Sequence, residues 1–337
     1  MRRLSCLAAT LAIALLPATA TLLAAPGAAH ANPPIGAEMW RTDPRGLPDP
    51  LTAGPQAIQR YFAGLSEQEQ RELADEYPGV IGNLDGAPIA LRYAANRATG
   101  QQILLYDPRG DGEVAQVFGD LARAQRIAIL IPGAGNRLGN FWRGVGGKAF
   151  RSPARQGIDL YRAAQRYKAT FAVIVWLGYD APSGINIAAT REDLAVDGAA
   201  ALERFIAGLA VIRPQATLAL LGYSYGSTVI GRAAKHLPVQ VTDLVAFGSP
   251  GMGVDTVAEL GTTARVWAGL SDRDTMRLVP GLKIFGLGHG RQPADPAFGA
   301  TVFPTRDVVD HDHYLAPGTD SLTSLTLISV FGGEAHS

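Results

Sequence analysis

Short apolar runs that recur from residue 102 onwards predict the strands of a buried sheet. Most run without polar alternation and end at Gly, Pro or Asp, which is typical of strands covered on both faces. The predicted strands are Ile103–Tyr106, Val114–Phe118, Ile127–Ile131, Phe171–Trp176, Leu218–Leu221, Val241–Phe247, Ala264–Ala268 and Leu282–Phe285. A turn-forming stretch, Asp107–Gly112, joins the first two strands, which predicts an antiparallel hairpin.

Apolar residues at helical spacing separate the later strands. They predict helices over Thr190–Ala210, over Ser224–His236 and near Leu322–Phe331. Strands alternating with helices indicate an α/β fold with a mostly parallel, doubly wound sheet, and the hairpin adds an antiparallel N-terminal edge.

The region before the sheet divides into three parts. Two arginines, an apolar stretch broken by Pro17 and the small-residue sequence Ala29-His30-Ala31 predict a secretory signal peptide over 1–31, cleaved near Ala31. A membrane anchor is the alternative, which Pro17 and the alanine-rich content disfavour. Residues 32–58 are rich in Pro, Gly and Ala and predict an extended arm. A capping box of Ser66 and Glu69 predicts a helix that ends before Pro78.

Composition narrows the class of function. The chain has 337 residues, 47% of them hydrophobic, with 30 basic and 30 acidic side chains. A formal net charge of zero gives no indication of nucleic-acid binding. Cys6 is the single cysteine and lies in the predicted signal peptide, so the secreted chain is predicted to be stabilised by its core without disulfides.

The sequence Thr217–Val229, TLALLGYSYGSTV, holds the main candidate for chemistry. Ser224 lies between Gly222 and Gly226, at the point where a strand is predicted to turn into a helix. Such a turn brings backbone close to backbone, which favours glycine, and it exposes a serine hydroxyl beside a helix N-terminus. Ser224 is therefore either a nucleophile or an ordinary N-cap serine beside a turn.

A serine nucleophile needs a base and an acid, and in this architecture both follow it in the chain. His311 and His313 precede the final helix and are the candidate bases. Asp272 and Asp274 follow a strand and are the candidate acids, with Asp180 a weaker third. The alternating Asp and His residues at 310–313 also fit a metal site, but no further His or Cys cluster supports one. Neither a metal nor another cofactor is predicted.

The remaining candidates concern the oxyanion hole and the substrate pocket. An oxyanion hole requires two backbone N–H groups, predicted here from Tyr225 and from Ala134 in the glycine-rich loop Ile131–Asn136. Tyr223, Trp142 and His289 are substrate-pocket candidates, although the aromatic residues are equally typical of a core.

Together these motifs resemble the α/β-hydrolase superfamily and, more closely, a bacterial α/β-hydrolase family catalogued as a domain of unknown function. The resemblance runs from about Tyr61 to Leu327. The chain is predicted to form an N-terminal arm and helical extension over residues 32–100 and an α/β-hydrolase catalytic domain over 101–337. The resemblance favours Asp274 over Asp272 and, through a His-x-x-Tyr pattern, His311 over His313. The matching segments are Ile81–Gly86, Arg92–Asn96, Ile131–Gly133, Gly222–Gly226, Gly286–Gly290, Ala297–Ala300, His311–Tyr314 and Pro317–Gly318.

The sequence therefore predicts a secreted serine hydrolase that cleaves carboxylic esters through Ser224, Asp274 and His311. The substrate is expected to be a small-molecule or lipid-like ester, with no nucleic acid and no transmembrane anchor involved. Three alternatives stay open at this point: an amidase or peptidase with the same residues, a metal-dependent hydrolase, and a non-catalytic secreted binding protein on a hydrolase fold.

Overall fold

The computed structural model describes residues 33–167, 169–184, 193–279 and 288–333. The predicted signal peptide, the predicted strand Leu282–Phe285 and the first residues of the predicted helix Thr190–Ala210 lie outside these described ranges.

A single sheet forms the centre of the described structure, in the order β1-β2-β4-β3-β5-β6-β7-β8. The strands β3 to β8 run parallel to one another, whereas β2 is antiparallel to both β1 and β4. The predicted parallel sheet with an antiparallel edge is therefore confirmed. The strands are β1 (Ile103–Asp107), β2 (Glu113–Phe118), β3 (Arg126–Ile131), β4 (Phe171–Leu177), β5 (Thr217–Tyr223), β6 (Val241–Phe247), β7 (Arg265–Gly269) and β8 (Thr301–Val302).

Strand β8 is the one sheet element of the described residues that the hydrophobic pattern misses. It pairs with β7 through two exposed residues, Thr301 and Val302. A strand this short and this exposed leaves no apolar run to recognise.

Helices cover the sheet and precede it. In chain order, those of the described residues are α1 (Ala37–Arg41), α2 (Pro55–Ala63), α3 (Glu67–Glu76), α4 (Pro78–Ile81), α5 (Ile89–Ala95), α6 (Pro153–Gln165), α7 (Asp193–Ile212), α8 (Tyr225–Ala233) and α9 (Asp320–Phe331). The capping box of Ser66 and Glu69 is present at the start of α3, and that helix ends before Pro78 as predicted. Among the helices described, none has the length and apolar character needed to cross a bilayer.

The extended arm predicted for residues 32–58 is wrong. Helix α1 and the start of α2 fall inside it, and Trp40 and Ile58 are fully buried in a hydrophobic cluster that α2 and α3 complete. Pro55 signals the start of a helix here, because the first turn needs no backbone N–H from that position.

Residues 33–100, the N-terminal extension, are attached to the sheet at β1. The guanidinium of Arg92 is completely buried, donates to the Leu104 carbonyl at 2.8 Å and pairs with Asp85 at 3.2 Å. The side chain of Asn83 accepts from the Tyr106 N–H at 2.7 Å and donates to the Tyr106 carbonyl at 3.1 Å. The extension is thereby fixed along β1, the outermost strand on the antiparallel side of the sheet.

Candidate active site

Ser224 occupies a strained turn between β5 and α8. Its φ of 52° makes it the only residue other than glycine with a positive φ among the described residues. Backbone strain of this kind costs on the order of 1–3 kcal/mol and persists where the surroundings enforce it. The turn places the Ser224 hydroxyl at the carboxyl edge of the parallel strands.

The backbone packs so closely around the turn that neither flanking position has room for a side chain. A Cβ on residue 222 would lie 2.5 Å from the Cα of Ser227, and one on residue 226 would lie 2.3 Å from the Ile131 carbonyl oxygen. Both contacts are with backbone, which cannot move aside as a flexible side chain would. The tight turn predicted from the glycine spacing is therefore present.

Hydrogen bonds join Ser224, His311 and Asp274. The Nε2 of His311 lies 3.0 Å from the Ser224 Oγ, and its Nδ1 lies 2.9 Å and 3.0 Å from the two carboxylate oxygens of Asp274. The histidine precedes α9, the aspartate follows β7 and the serine follows β5, so three segments far apart in the chain meet at one edge of the sheet.

The electrostatics of Asp274 fix the direction of these bonds. Burial acts to raise the pKa of this carboxyl, but the hydrogen bonds from His311, the Met276 N–H and Tyr314 outweigh it, and the pKa is lowered. An ionised carboxylate can only accept hydrogen bonds. The Nδ1 of His311 must therefore donate to Asp274, which leaves Nε2 to accept the proton of Ser224.

Tyr314 is a third hydrogen-bond donor to the Asp274 carboxylate. The sequence predicted no role for it beyond its place in the His-x-x-Tyr motif. Its hydroxyl donates to the Asp274 Oδ2 at 2.7 Å and accepts from the Ser271 N–H at 2.9 Å. The Ser271 hydroxyl in turn donates to the Val308 carbonyl at 2.8 Å. Tyr314 and Ser271 thus tie the acid-bearing loop to the histidine-bearing loop, and burial raises the pKa of Tyr314.

Gly248, after β6, makes room for this cluster, and the sequence motifs gave no sign of it. A Cβ there would lie 3.0 Å from the Tyr314 ring and 3.2 Å from both the Asp274 Oδ2 and the His311 Cε1. The residue also has a φ of 54°, which favours glycine.

Asp272 and His313, the less favoured candidates for acid and base, contact other residues. The side chain of Asp272 is 94% exposed and pairs with Arg277 at 3.4 Å. His313 stacks on Phe150 with a ring separation of 4.5 Å, and its Nδ1 contacts Asp310 at 2.5 Å. Neither takes part in the hydrogen bonds that reach Ser224.

The loop after β3 packs directly against the serine. A Cβ on residue 133 would lie 2.7 Å from the Ser224 Cβ, so glycine allows this close approach. The N–H of Gly135 is bonded to the Pro182 carbonyl at 2.7 Å, whereas no hydrogen bond involves Ala134 within the described ranges. Tyr225, the other predicted donor of an oxyanion hole, is the first residue of α8.

Tyr223 supports the histidine loop through its ring and its hydroxyl. Its ring is buried and lies 5.1 Å from the His311 ring, and its hydroxyl donates to the His311 carbonyl at 2.9 Å. Burial raises the pKa of Tyr223 well above its usual value. The pocket role predicted for this residue therefore has no support in its contacts.

Trp142 and His289, the other pocket candidates, have contacts of their own. The indole N–H of Trp142 donates to the Gln116 side chain of β2 at 2.8 Å. The buried ring of His289 meets the edge of the buried Tyr225 ring at 5.5 Å. The pocket role of these two side chains stays a prediction. Within the described part of the chain, no group of three or more His, Cys, Asp or Glu side chains is arranged to hold a metal ion.

A sequence model of the alpha/beta hydrolase family matches residues 107–284. The chain belongs to the alpha/beta hydrolase family. The matched region includes Ser224 and Asp274, whereas His311 lies beyond its end.

Relatives of this chain include two uncharacterised proteins of Mycobacterium tuberculosis. Rv2079 is 24% identical over 390 residues, covering 87% of this chain and 58% of that protein. Rv0963c is 31% identical over 184 residues, covering 51% of this chain and 66% of that protein. The chain thus spans less than two thirds of the length of either relative.

Solved structures with a similar fold include XC6422, an α/β serine hydrolase without lid from Xanthomonas campestris. It is 15% identical, with a TM-score of 0.40, and the match covers 68% of this chain and 91% of that one.

Proposed function

We propose that this hydrolase cleaves carboxylic esters, with Ser224 as nucleophile, His311 as general base and Asp274 as the acid that orients the imidazole. The observation that supports this most strongly is the continuous hydrogen-bonded path from the Ser224 Oγ through His311 to the Asp274 carboxylate, at 3.0 Å and 2.9 Å. The path begins at the one strained serine of the described residues, and a strained, base-paired hydroxyl is what nucleophilic catalysis requires.

The reaction then follows from the hydrogen-bond directions. The Nε2 of His311 accepts the proton of Ser224 as its Oγ attacks the acyl carbon, and the Asp274 carboxylate stabilises the imidazolium that forms. The imidazolium gives this proton to the departing alkoxide, which leaves an acyl-enzyme. His311 next takes a proton from water, the resulting hydroxide attacks the acyl carbon, and Ser224 recovers its proton as the carboxylic acid leaves.

The negative charge that develops on the acyl oxygen during the attack must also be stabilised. Two backbone N–H groups fit this role in the proposal, those of Tyr225 and Ala134. The first lies at the N-terminus of α8, where the helix dipole favours negative charge. The second belongs to the loop that packs against Ser224 and is bonded to no other described residue. Donors fixed in advance in this way lower the barrier because they need no reorganisation.

The ester preference is tested with substrates that differ in one bond. Purified protein is given p-nitrophenyl acetate, butyrate and octanoate, and the p-nitroanilide of butyric acid. We expect the butyrate ester to be turned over on the order of 100-fold faster than its anilide, because an alkoxide or phenoxide leaves with less assistance than an amine. Equal turnover of the two would identify an amidase and would contradict the ester assignment.

Tyr314 is proposed to act on the reaction through Asp274, as a positioning residue. Replacing it with phenylalanine leaves the carboxylate with one donor fewer, so the charge of Asp274 attracts the imidazolium of His311 more strongly. We expect kcat to fall on the order of 10-fold, because the Asp274 carboxylate loses the Tyr314 hydrogen bond that holds it in place against the imidazole, and the acid limb of the kcat/KM profile to move to higher pH by roughly half a pH unit.

The matched control for Tyr314→Phe is Tyr223→Phe. Tyr223 is a second buried tyrosine beside His311, but its hydroxyl reaches the histidine carbonyl and not Asp274. Its loss is expected to leave the acid limb in place. A parallel movement of the acid limb in both variants would show that Tyr314 has only a general structural role.

A further inference from the structure

The loop after β3, residues 132–136, packs against Ser224 and carries Ala134, whose N–H is the second oxyanion donor of the proposed reaction. A hydrogen bond holds each peptide plane of this loop, so the protein itself fixes the direction in which each N–H points. These bonds run from the Tyr179 hydroxyl to the Pro132 carbonyl at 2.7 Å, from the Asn136 side chain to the Gly133 carbonyl at 2.9 Å, from the Gly135 N–H to the Pro182 carbonyl at 2.7 Å and from the Asn140 side chain to the Gly135 carbonyl at 2.8 Å.

Asn136 holds the plane that contains the Ala134 N–H. Asn136 is only 7% exposed, so the Gly133 carbonyl that its side chain binds is directed into the protein. The carbonyl and the N–H of a trans peptide point in opposite directions. The Ala134 N–H therefore points away from the protein interior, and it is bonded to no other described residue.

This same peptide plane lies beside the proposed nucleophile. A Cβ on residue 133 would lie 3.2 Å from the Ser224 Oγ. If the plane turned over, the Gly133 carbonyl oxygen would take the place of the Ala134 N–H. A negatively charged acyl oxygen would then meet a second oxygen, and the two would repel each other.

The bonding of Asn136 is one-sided. Its Nδ2 donates to the Gly133 carbonyl, whereas its buried Oδ1 has no hydrogen-bond partner within the described ranges. The amide is not reversed, because its oxygen would then face the carbonyl and both groups would be acceptors. A buried acceptor without a donor is destabilising, so an amide is a poor choice for filling space. The bond to Gly133 is what distinguishes this side chain from an apolar one of the same size.

We propose that Asn136 is a positioning residue, which keeps the Ala134 N–H directed at the acyl oxygen by holding the Gly133 carbonyl on the opposite side. The proposal rests on the ester hydrolysis proposed above and adds a residue to it. Asn136 acts through the peptide plane and does not touch the substrate. Its effect should be largest in the transition state, where the acyl oxygen carries the most charge.

Asn136→Leu tests this role, because leucine has a similar size and branching but no donor. With p-nitrophenyl butyrate and the full chain, we expect kcat to fall roughly 10–100-fold, less than the loss of an oxyanion donor outright. The KM should stay within about twofold of wild type. The acid limb of the pH profile should also stay in place, since Asn136 is uncharged and is not bonded to His311 or Asp274 in the described structure.

Inhibition by butaneboronic acid separates positioning from a loss of folded protein. The boron forms a bond with the Ser224 Oγ, whose proton passes to His311, and the tetrahedral adduct carries a negatively charged oxygen like that of the transition state. We expect the inhibition constant to rise at least about 10-fold in Asn136→Leu. A partly unfolded preparation would show a lower apparent kcat with an unchanged inhibition constant. Asn136→Ala, which is smaller and has room to fit, should give the same changes.

The matched control is Asn140→Leu. Asn140 makes the same kind of bond in the same loop, from its side chain to the Gly135 carbonyl. That peptide plane contains the N–H of residue 136 and not that of Ala134. We expect kcat within about threefold of wild type and an unchanged inhibition constant for butaneboronic acid.

Three results would overturn the role of Asn136: wild-type kcat in Asn136→Leu, an unchanged inhibition constant in that variant and in Asn136→Ala, or equal losses in Asn140→Leu. Each of them leaves ester hydrolysis by the wild type intact, so it contradicts the positioning role alone. A folded wild-type protein that hydrolyses no ester would contradict the proposed function, and the positioning role with it.

Discussion

Ser224→Ala is expected to lower kcat for p-nitrophenyl butyrate by on the order of 10⁴-fold or more. The alanine has no oxygen to attack the acyl carbon, so no acyl-enzyme forms, while the proposed oxyanion donors and the substrate contacts remain. The backbone strain at this position is unrelated to the hydroxyl, and the melting temperature should change little. Initial rates from purified wild type and variant, with thermal melts in parallel, provide the measurement.

The matched control for this prediction is Ser227→Ala. Ser227 is also buried, three residues further along α8, and its hydroxyl donates to the Ser224 carbonyl at 2.6 Å and contacts Ser249 at 2.6 Å. Its loss should lower stability by about 1–3 kcal/mol, the typical cost of leaving buried partners unpaired, and kcat by far less than the Ser224 change. A Ser224→Ala variant with more than a tenth of wild-type turnover would exclude this serine as the nucleophile.

Asp274→Asn is expected to reduce kcat by about 10⁴-fold, the loss typical of this replacement in a serine–histidine–aspartate arrangement. The carboxylate accepts from His311 Nδ1, and an amide in its place can donate to that nitrogen instead. The imidazole then carries its proton on Nε2, where it can no longer accept from Ser224. Steady-state rates across pH, with the melting temperature recorded alongside, measure the effect.

The companion variant is Asp272→Asn, two residues away. Its side chain is 94% exposed and contacts only Arg277 in the described structure, so its rate should stay within about twofold of wild type. Equal losses in the two variants would mean that the loop as a whole matters, and would contradict the specific role assigned to Asp274.

Continuous apolar runs located seven strands of the described sheet because strands buried on both faces are short apolar stretches that end at Gly, Pro or Asp, and these limits distinguish them from the longer helices. The N-terminal extension was harder to predict. Trp40 and Ile58 are buried side chains of short helices that lie among Pro and Gly residues. Short helices have too few turns to show a periodic pattern of apolar residues. Proline is common both at the first position of a helix and in loops. The sequence around Pro55 therefore does not decide between these two structures, and the packing does.

At the site, the chain order of serine, acid and histidine was sufficient to nominate residues that the fold brings into hydrogen-bond contact. Chain order alone did not decide between Asp272 and Asp274 or between His311 and His313, because residues two apart in a loop differ in side-chain direction. The family resemblance favoured Asp274 and His311. Tyr314 and Gly248 could not have been assigned their contacts, since both act through residues distant in the chain. The aromatic residues beside Ser224 gave no reliable sign of a pocket, because Tyr223 and Tyr225 are buried in the protein.

The most direct test of the proposed chemistry is covalent labelling with a fluorophosphonate, followed by intact mass measurement and peptide mapping. This reagent reacts with a serine only when a base removes its proton. The account predicts one adduct per chain on the peptide that carries Ser224, no adduct in Ser224→Ala, and labelling slowed by orders of magnitude in His311→Ala. Equal labelling of wild type and Ser224→Ala, or an unlabelled wild-type protein that is folded, would contradict it.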